Sequence, residues 1–412
     1  MAAGVTTERW SGREVAALGS FVLVGIAVRA ILLPTDGFRP DLDRFVQWVH
    51  GIAVNGLGNA YDQKLAFPPV MAYVWGALAA LDPAFRTATD GGEPAVRAVM
   101  KLPAVIADIG IALLVAYALR DRPRWAIVGA AVILLHPAVV DVSAWWGQYE
   151  SIYMLPALAA AILAIQGRNA WAAAAIAVAV MTNPQALPML LPFAAWFWAT
   201  GGWREFVRAA MVGTGVIVVL WLPFLPAGGP VDYFQGVVAY QDLTFNMATT
   251  SAWNFWWLVQ NLGAGGVTVR DDVAIVGPLT FRLIGLVLAG WLELVVARAV
   301  LRDPHPWTLT LALTASTLVA FSFLTTMHER YAFGALVFLT LLIKDPRIRA
   351  VSLAFGVAFT INVLIYIPPT AEIQALQAYV VPLGLLGSLT LLAVTGFAIA
   401  TLTAGRANDA PA

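Results

Sequence analysis

Two aspartates, Asp41 and Asp43, stand in FRPDLDRFVQW (residues 38–48), just past a long apolar run. A carboxylate beside a membrane is too costly to be filler. Asp41 is a candidate general base for an enzyme working at the membrane surface. The plainer alternative makes it an N-cap for the amphipathic segment that follows, whose Phe45, Trp48, Val49, Ile52 and Val54 fall near helical spacing. A second ionisable group, His328, Glu329 and Arg330, lies in MHERYAF between two apolar segments. Arg330 offers a planar fork suited to a phosphate, and His328 can give a hydrogen bond or a proton. An interhelical ion pair is the structural alternative for this group. In WWGQYES (145–151), Glu150 and Ser151 fit the start of a helix, Gly147 permits a close approach, and Gln148 suits hydroxyl recognition. Lys101 and Asp108 lie seven residues apart, two turns along one helix face. They are either structural partners through a neighbour or, for Lys101, a phosphate contact. Asn183, Pro184 and Gln185 interrupt an apolar run, as in a broken helix that lines a polar cavity.

The elements that must position these residues are membrane helices. Of 412 residues, 60% are hydrophobic and 12% charged, against about a half and a quarter in a soluble domain. The apolar runs are long and do not alternate, which predicts an all-α polytopic protein in a lipid bilayer. A net charge of zero gives no case for nucleic acid or a polybasic lipid tether, and the absence of cysteine removes disulfides and thiolate chemistry. No Walker loop, dinucleotide fingerprint or serine-hydrolase elbow occurs in a suitable context.

The run at 15–33 reads as a retained first span. Further apolar segments at 68–81, 99–119, 125–140, 151–166, 170–182, 187–199, 208–225, 273–297, 306–325, 332–343, 350–367 and 378–403 predict about 12–13 membrane helices. The spacing of the basic clusters requires either 68–81 or part of 99–119 to stop short of a full crossing, and 68–81 is the favoured one, as a re-entrant or outer-leaflet helix. That gives 12 spans, both termini cytoplasmic, and four polar clusters on the outer side: the aspartate loop (35–67), WWGQYES, the 226–272 loop and MHERY. The aromatic 226–272 loop reads either as an interfacial belt or as a partly helical lid over a sugar site. Residues 1–404 form one transmembrane domain in this reading, with 405–412 a disordered tail.

Asp41 with Phe45 and Trp48, then GLGNAYD and FPP, belongs to a longer series of motifs. It continues through MKLPAVIADIG (100–110), HPAVVDVSAWWGQYES (136–151), TNPQALPMLLP (182–192), NMATTSAWNFWWL (246–258) and MHERYAF. In order and number these motifs resemble those of bacterial integral-membrane glycosyltransferases of the GT-C superfamily related to the second mannosyltransferase of glycosylphosphatidylinositol assembly. The resemblance runs from about residue 38 to 366. Three positions depart from the family pattern: Asn183 replaces a lysine, Glu150 an aspartate, and Phe67 the first tyrosine of YPP.

The resemblance implies transfer of a hexose, with mannose expected, from a polyprenyl-phosphate donor to a hydroxyl on a glycan, lipid or protein. The reaction would occur at the outer face of the cell membrane with inversion. Asp41 would be the catalytic base; Asp43, Lys101, Gln148, Glu150, Gln185, His328, Glu329 and Arg330 would bind substrate. A divalent cation at Asp41 and Asp43 stays open. The rival reading is a transporter or flippase of lipid-linked sugars with the broken helices as gates. The one-sided clustering of polar motifs, without an inverted repeat, favours the enzyme.

Overall fold

The computed structural model describes residues 10–243 and 245–405; the tail expected after Gly405 and the basic residues Arg9 and Arg406 lie outside the described residues. The chain is an all-α polytopic membrane protein. Its helices are α1 (Gly12–Leu32), α2 (Arg39–Asn55), α3 (Pro69–Leu81), α4 (Pro94–Ala118), α5 (Pro123–Leu135) and α6 (Pro137–Val140). After a π-helical turn (Asp141–Trp146) come α7 (Glu150–Ile165), α8 (Asn169–Val180), α9 (Leu190–Trp221), α10 (Gly229–Leu243) and α11 (Phe255–Leu258). A small hairpin, β1 (Ala274–Val276) with β2 (Leu279–Thr280), leads to α12 (Phe281–Arg302), α13 (Pro306–Phe323), α14 (Phe333–Leu341), α15 (Pro346–Tyr366), α16 (Ala371–Ala375) and α17 (Val380–Ala404).

Local chemistry sets many boundaries. Ser11 and Glu14 form a capping box at α1, and prolines open α2, α3, α4, α5, α13 and α15, where a missing N–H costs nothing. By length and composition, seven helical stretches among the described residues can cross a bilayer, or up to eight if the bent pair Pro123–Leu135 and Pro137–Trp146 is one span. The 12 crossings expected from sequence therefore depend on shorter helices as well. Those include α7, α8 and α14, with 16, 12 and 9 residues. Each lies among neighbours that shield it, which relaxes the length that lipid contact demands. Helix α9 is broken at Gly202, where φ is +65°, so the apolar segments expected at 187–199 and 208–225 are two arms joined at a turn. The segment expected at 273–297 is helical only from Phe281. Its first residues form the hairpin instead, turning at Gly277 with φ +55°.

The helix ends gather at two poles. At one, Trp10 donates to the Arg120 carbonyl, Lys344 pairs with Asp121 at 2.8 Å, and Asn169 meets Thr200. The polar motifs gather at the other. With 13 residues, α3 is about 20 Å long, short of a hydrocarbon core of about 30 Å. Both of its flanks return to α2: Phe67 packs on Phe45 and Trp48, and the Phe85 carbonyl bonds His50.

Candidate active site

Helix α2 brings the first carboxylate into place. Its apolar face, Leu42, Phe45, Val46, Trp48, Val49 and Ile52, is at most 5% exposed. Phe45, Trp48, Phe67, Trp75 and Tyr149 pack ring on ring, with centroids 4.9–6.3 Å apart. Each such pair adds about 0.5–1.5 kcal/mol beyond burial, so the wall behind the carboxylate is stiff. The N-cap of α2 is Phe38, and no side chain caps it. Asp41 is therefore not the cap. It sits in the first turn, where the helix dipole favours an anion. Trp146 Nε1, at 2.9 Å, and Gln148 Nε2 both donate to its Oδ2. Oδ1 accepts nothing from the described residues.

Those two donors come from the turn that follows α6. The π-helical stretch Asp141–Trp146 ends at Gly147, with φ +90° and ψ 25°. A Cβ there would lie 2.6 Å from Leu42 Cδ2, so glycine meets both the left-handed backbone and the close approach of α2. Both ends of the segment are anchored to Asp108 of α4. Ser143 donates to Oδ2 and Ser151 to Oδ1, while Arg29 of α1 pairs with the same carboxylate at 2.8 Å. Arg29 and Asp108 are fully buried, a setting in which an ion pair depends on further hydrogen bonds, and Arg29 NH1 donates to the Gly25 and Leu134 carbonyls. Asp108 thus pairs with Arg29 and not with Lys101. Lys101 instead donates to the Thr35 carbonyl at 2.9 Å and reaches the Leu32 carbonyl at 3.4 Å, closing the C-terminal end of α1.

MHERY is introduced by a constrained turn. Thr326 has φ +61°, rare for a β-branched residue, and its N–H reaches the Met247 carbonyl at 3.1 Å. Arg330 then lies between two glutamates: Nε is 2.8 Å from Glu150 Oε1, and NH1 is 3.2 Å from Glu329 Oε1. The Nε contact is an ion pair whose N–H is not aligned for a hydrogen bond. The guanidinium also stacks over Trp146, 4.8 Å from the ring centroid. Glu150 is therefore an ion-pair partner and not a capping residue, and Ser151 serves Asp108. Burial, and secondarily Arg330, hold the His328 imidazole well below its ordinary value, which favours its neutral form. Burial pushes the Glu329 carboxyl up, against the pull of Arg330.

These elements enclose a cavity of about 910 Å³. Asp41, Gln148, Glu150, Gln185, His328, Glu329 and Arg330 all line it, as does part of the 226–272 loop. In that loop Tyr233, Tyr240 and Phe245 face the cavity, whereas Trp253, Trp256 and Trp257 are buried in the helical core. Asn183 caps the break before α9 by accepting from the Gln185 N–H. Glu150 Oε2, Gln185 Oε1 and Thr250 Oγ1 are buried side-chain atoms of cavity residues with no well-aligned hydrogen-bond partner among the described residues. Such atoms are costly unless a ligand or water completes them.

Asp43 and Lys101 do not line the cavity. Asp43 takes Arg39 at 2.8 Å and the Gly91 N–H at 2.8 Å, so its carboxylate points away from Asp41. Among the described residues no group of three or more His, Asp or Glu side chains is arranged to hold a metal ion. With Asp43 engaged by Arg39 and Gly91, the aspartate pair does not form a chelate. Arg44 and Trp146 line the cavity without having been singled out individually from sequence. For Arg44 the signal was there, since it lies three residues past Asp41 on the same helix. No family model matches the chain, and no curated protein matches it.

Proposed function

We propose that this protein is a membrane glycosyltransferase that moves a hexose, mannose foremost, from a polyprenyl-phosphate donor to a hydroxyl acceptor at the outer face of the cell membrane. The observation that carries the reading is Asp41. Its carboxylate is fixed through one oxygen by Trp146 and Gln148, while the other oxygen accepts nothing from the described residues at the wall of a large cavity. Around it, the buried Glu150 and Gln185 side chains each keep an oxygen, Oε2 and Oε1, without a well-aligned donor among the described residues, which suits a ligand rich in hydroxyls. The volume, about 910 Å³, suits a sugar with part of its carrier. Aromatic faces of Trp48, Phe67, Tyr233 and Tyr240 provide an apolar wall for sugar C–H groups and an isoprenoid chain.

In the step itself the acceptor oxygen attacks the anomeric carbon from the face opposite the phosphate. The new C–O bond forms as the bond from carbon to the phosphate oxygen breaks, and that electron pair leaves with the polyprenyl phosphate. Asp41 takes the hydroxyl proton as the nucleophile loses it, then returns it to water. The anomeric centre inverts. Neutral His328 is a hydrogen-bonding group in this scheme and carries no charge to the phosphate.

The test is hexose transfer from radiolabelled polyprenyl-phosphate mannose and glucose by purified protein in nanodiscs. Asp41→Asn keeps size and most hydrogen bonding but cannot take the proton. It should bind the donor and transfer at least about 100-fold more slowly than wild type. Equal rates would remove Asp41 as the base. Absence of transfer by wild type, with rapid flipping of the donor across the bilayer, would favour a transporter.

A further inference from the structure

Most of the cationic side chains near the candidate site are already committed. Arg330 is held between Glu150 and Glu329. Arg39 is paired with Asp43, and Arg97 donates to the carbonyls of Pro34, Thr35, Gly91 and Gly92. Lys101 is turned to backbone carbonyls. Arg44 differs from all of these. It is exposed, it lines the cavity, and no ion pair or hydrogen bond of the described residues engages it.

We propose that Arg44 is the anchor for the phosphate of a lipid-linked ligand, with its guanidinium at the cavity wall next to the Asp41 carboxylate. The assignment rests on the glycosyltransferase reading for the identity of that ligand. The argument is one of charge. Arg330 is engaged by both Glu150 and Glu329, and Asp41 and Arg44 are the carboxylate and the guanidinium of the lining that make no ion pair among the described residues. They sit three residues apart on α2, a spacing at which oppositely charged side chains often pair. Here Asp41 has spent Oδ2 on Trp146 and Gln148 and makes no pair with Arg44. An open carboxylate beside an open guanidinium matches a ligand that presents a hydroxyl to one and an anion to the other. A planar fork binds phosphate oxygens in two parallel hydrogen bonds, which a lysine cannot do.

The surroundings favour a phosphate that carries an apolar chain. Tyr233, Val237 and Tyr240 of α10 line the cavity, while Val231, Phe234 and Val238 of the same helix are exposed. A helix apolar on both faces thus separates the cavity from the exterior, and the chain of an anchored phosphate would run along it. Inorganic phosphate would gain only the guanidinium contact.

The experiment measures binding and needs no catalysis. Full-length protein in phosphatidylcholine nanodiscs is titrated with polyprenyl phosphate, and separately with inorganic phosphate as competitor. Wild type should bind polyprenyl phosphate. Arg44→Ala should bind it at least about tenfold more weakly, Arg44→Lys should recover only part of the loss, and binding should become less sensitive to salt without Arg44. Because Arg44 is exposed and unpaired, its replacement should leave the melting temperature unchanged. Equal affinity in wild type and Arg44→Ala would overturn the assignment while leaving the glycosyltransferase reading standing. Displacement by inorganic phosphate at comparable concentration would overturn the tailed-anion ligand. Failure of wild type to bind polyprenyl phosphate at all would remove the donor on which both readings depend.

Discussion

Burial first, and the neighbouring Arg330 guanidinium second, hold the His328 imidazole below its ordinary value of 6.5. The consequence for stability has a definite sign. As pH falls through 6.5, the unfolded chain takes up a proton that the folded histidine refuses, so folded stability falls with it. Glu329 acts the other way, since burial raises its carboxyl above 4.5 and acid then favours the folded state. A comparison that removes only the imidazole separates the two. Between about pH 7 and about pH 5, the apparent melting temperature of wild type should drop more steeply than that of His328→Asn. Parallel curves in detergent would mean that the imidazole is solvated. The same loop shows that residue type alone does not give a charge's partners. An arginine in MHERY reads as a phosphate fork, yet Arg330 is bound by two glutamates, one of them far away in sequence.

At the scale of elements, the site depends on how closely α2 approaches the turn at 141–147. Gly147 is the contact point: a Cβ would meet Leu42 Cδ2 at 2.6 Å, on a backbone with φ +90°. Gly147→Ala should cost about 1–2 kcal/mol for the left-handed conformation alone. Relief of the clash would then move Gln148 away from Asp41. We expect a lower melting temperature together with a transfer rate reduced well beyond the loss of folded protein. A variant as stable and as active as wild type would show that the approach is loose. Sequence made this segment legible as a tight, polar interruption. It did not reveal that Ser143 and Ser151 are both tied to Asp108, because that requires α1, α4 and α7 to be packed together.

Across the described residues, the basic segments around Arg120 and Lys344 lie at the pole away from the cavity that the polar motifs line. The chain has no cysteine, so single cysteines can report on each pole without background. Asp62 and Arg204 are both exposed, the first on the turn after α2 and the second beside the Gly202 break. With basic loops retained in the cytoplasm, Asp62→Cys should react with a membrane-impermeant maleimide in intact cells. Arg204→Cys should react only after permeabilisation. The reverse pattern would put the cavity on the cytoplasmic side and remove the reason for a lipid-linked donor.

Hydropathy is a local property that a bilayer reads segment by segment, and so the membrane class, most helices and the one-sided grouping of the polar motifs were legible in the sequence. The same locality explains the difference at 274–280, where apolar β-branched residues fit a strand as well as a span and the chain turns as a hairpin at Gly277. Partnership between charges is not local. Trp146 and Gln148 reach Asp41 across 105 and 107 residues, and Arg29 reaches Asp108 across 79. Whether a cation is free depends on which carboxylates or carbonyls packing brings within a few ångströms, and the Coulomb term falls steeply beyond that in a polarisable surround. Tertiary structure alone therefore withdrew Asp43 and Lys101 from the cavity, committed Arg330 to two glutamates, and left Arg44 open beside Asp41.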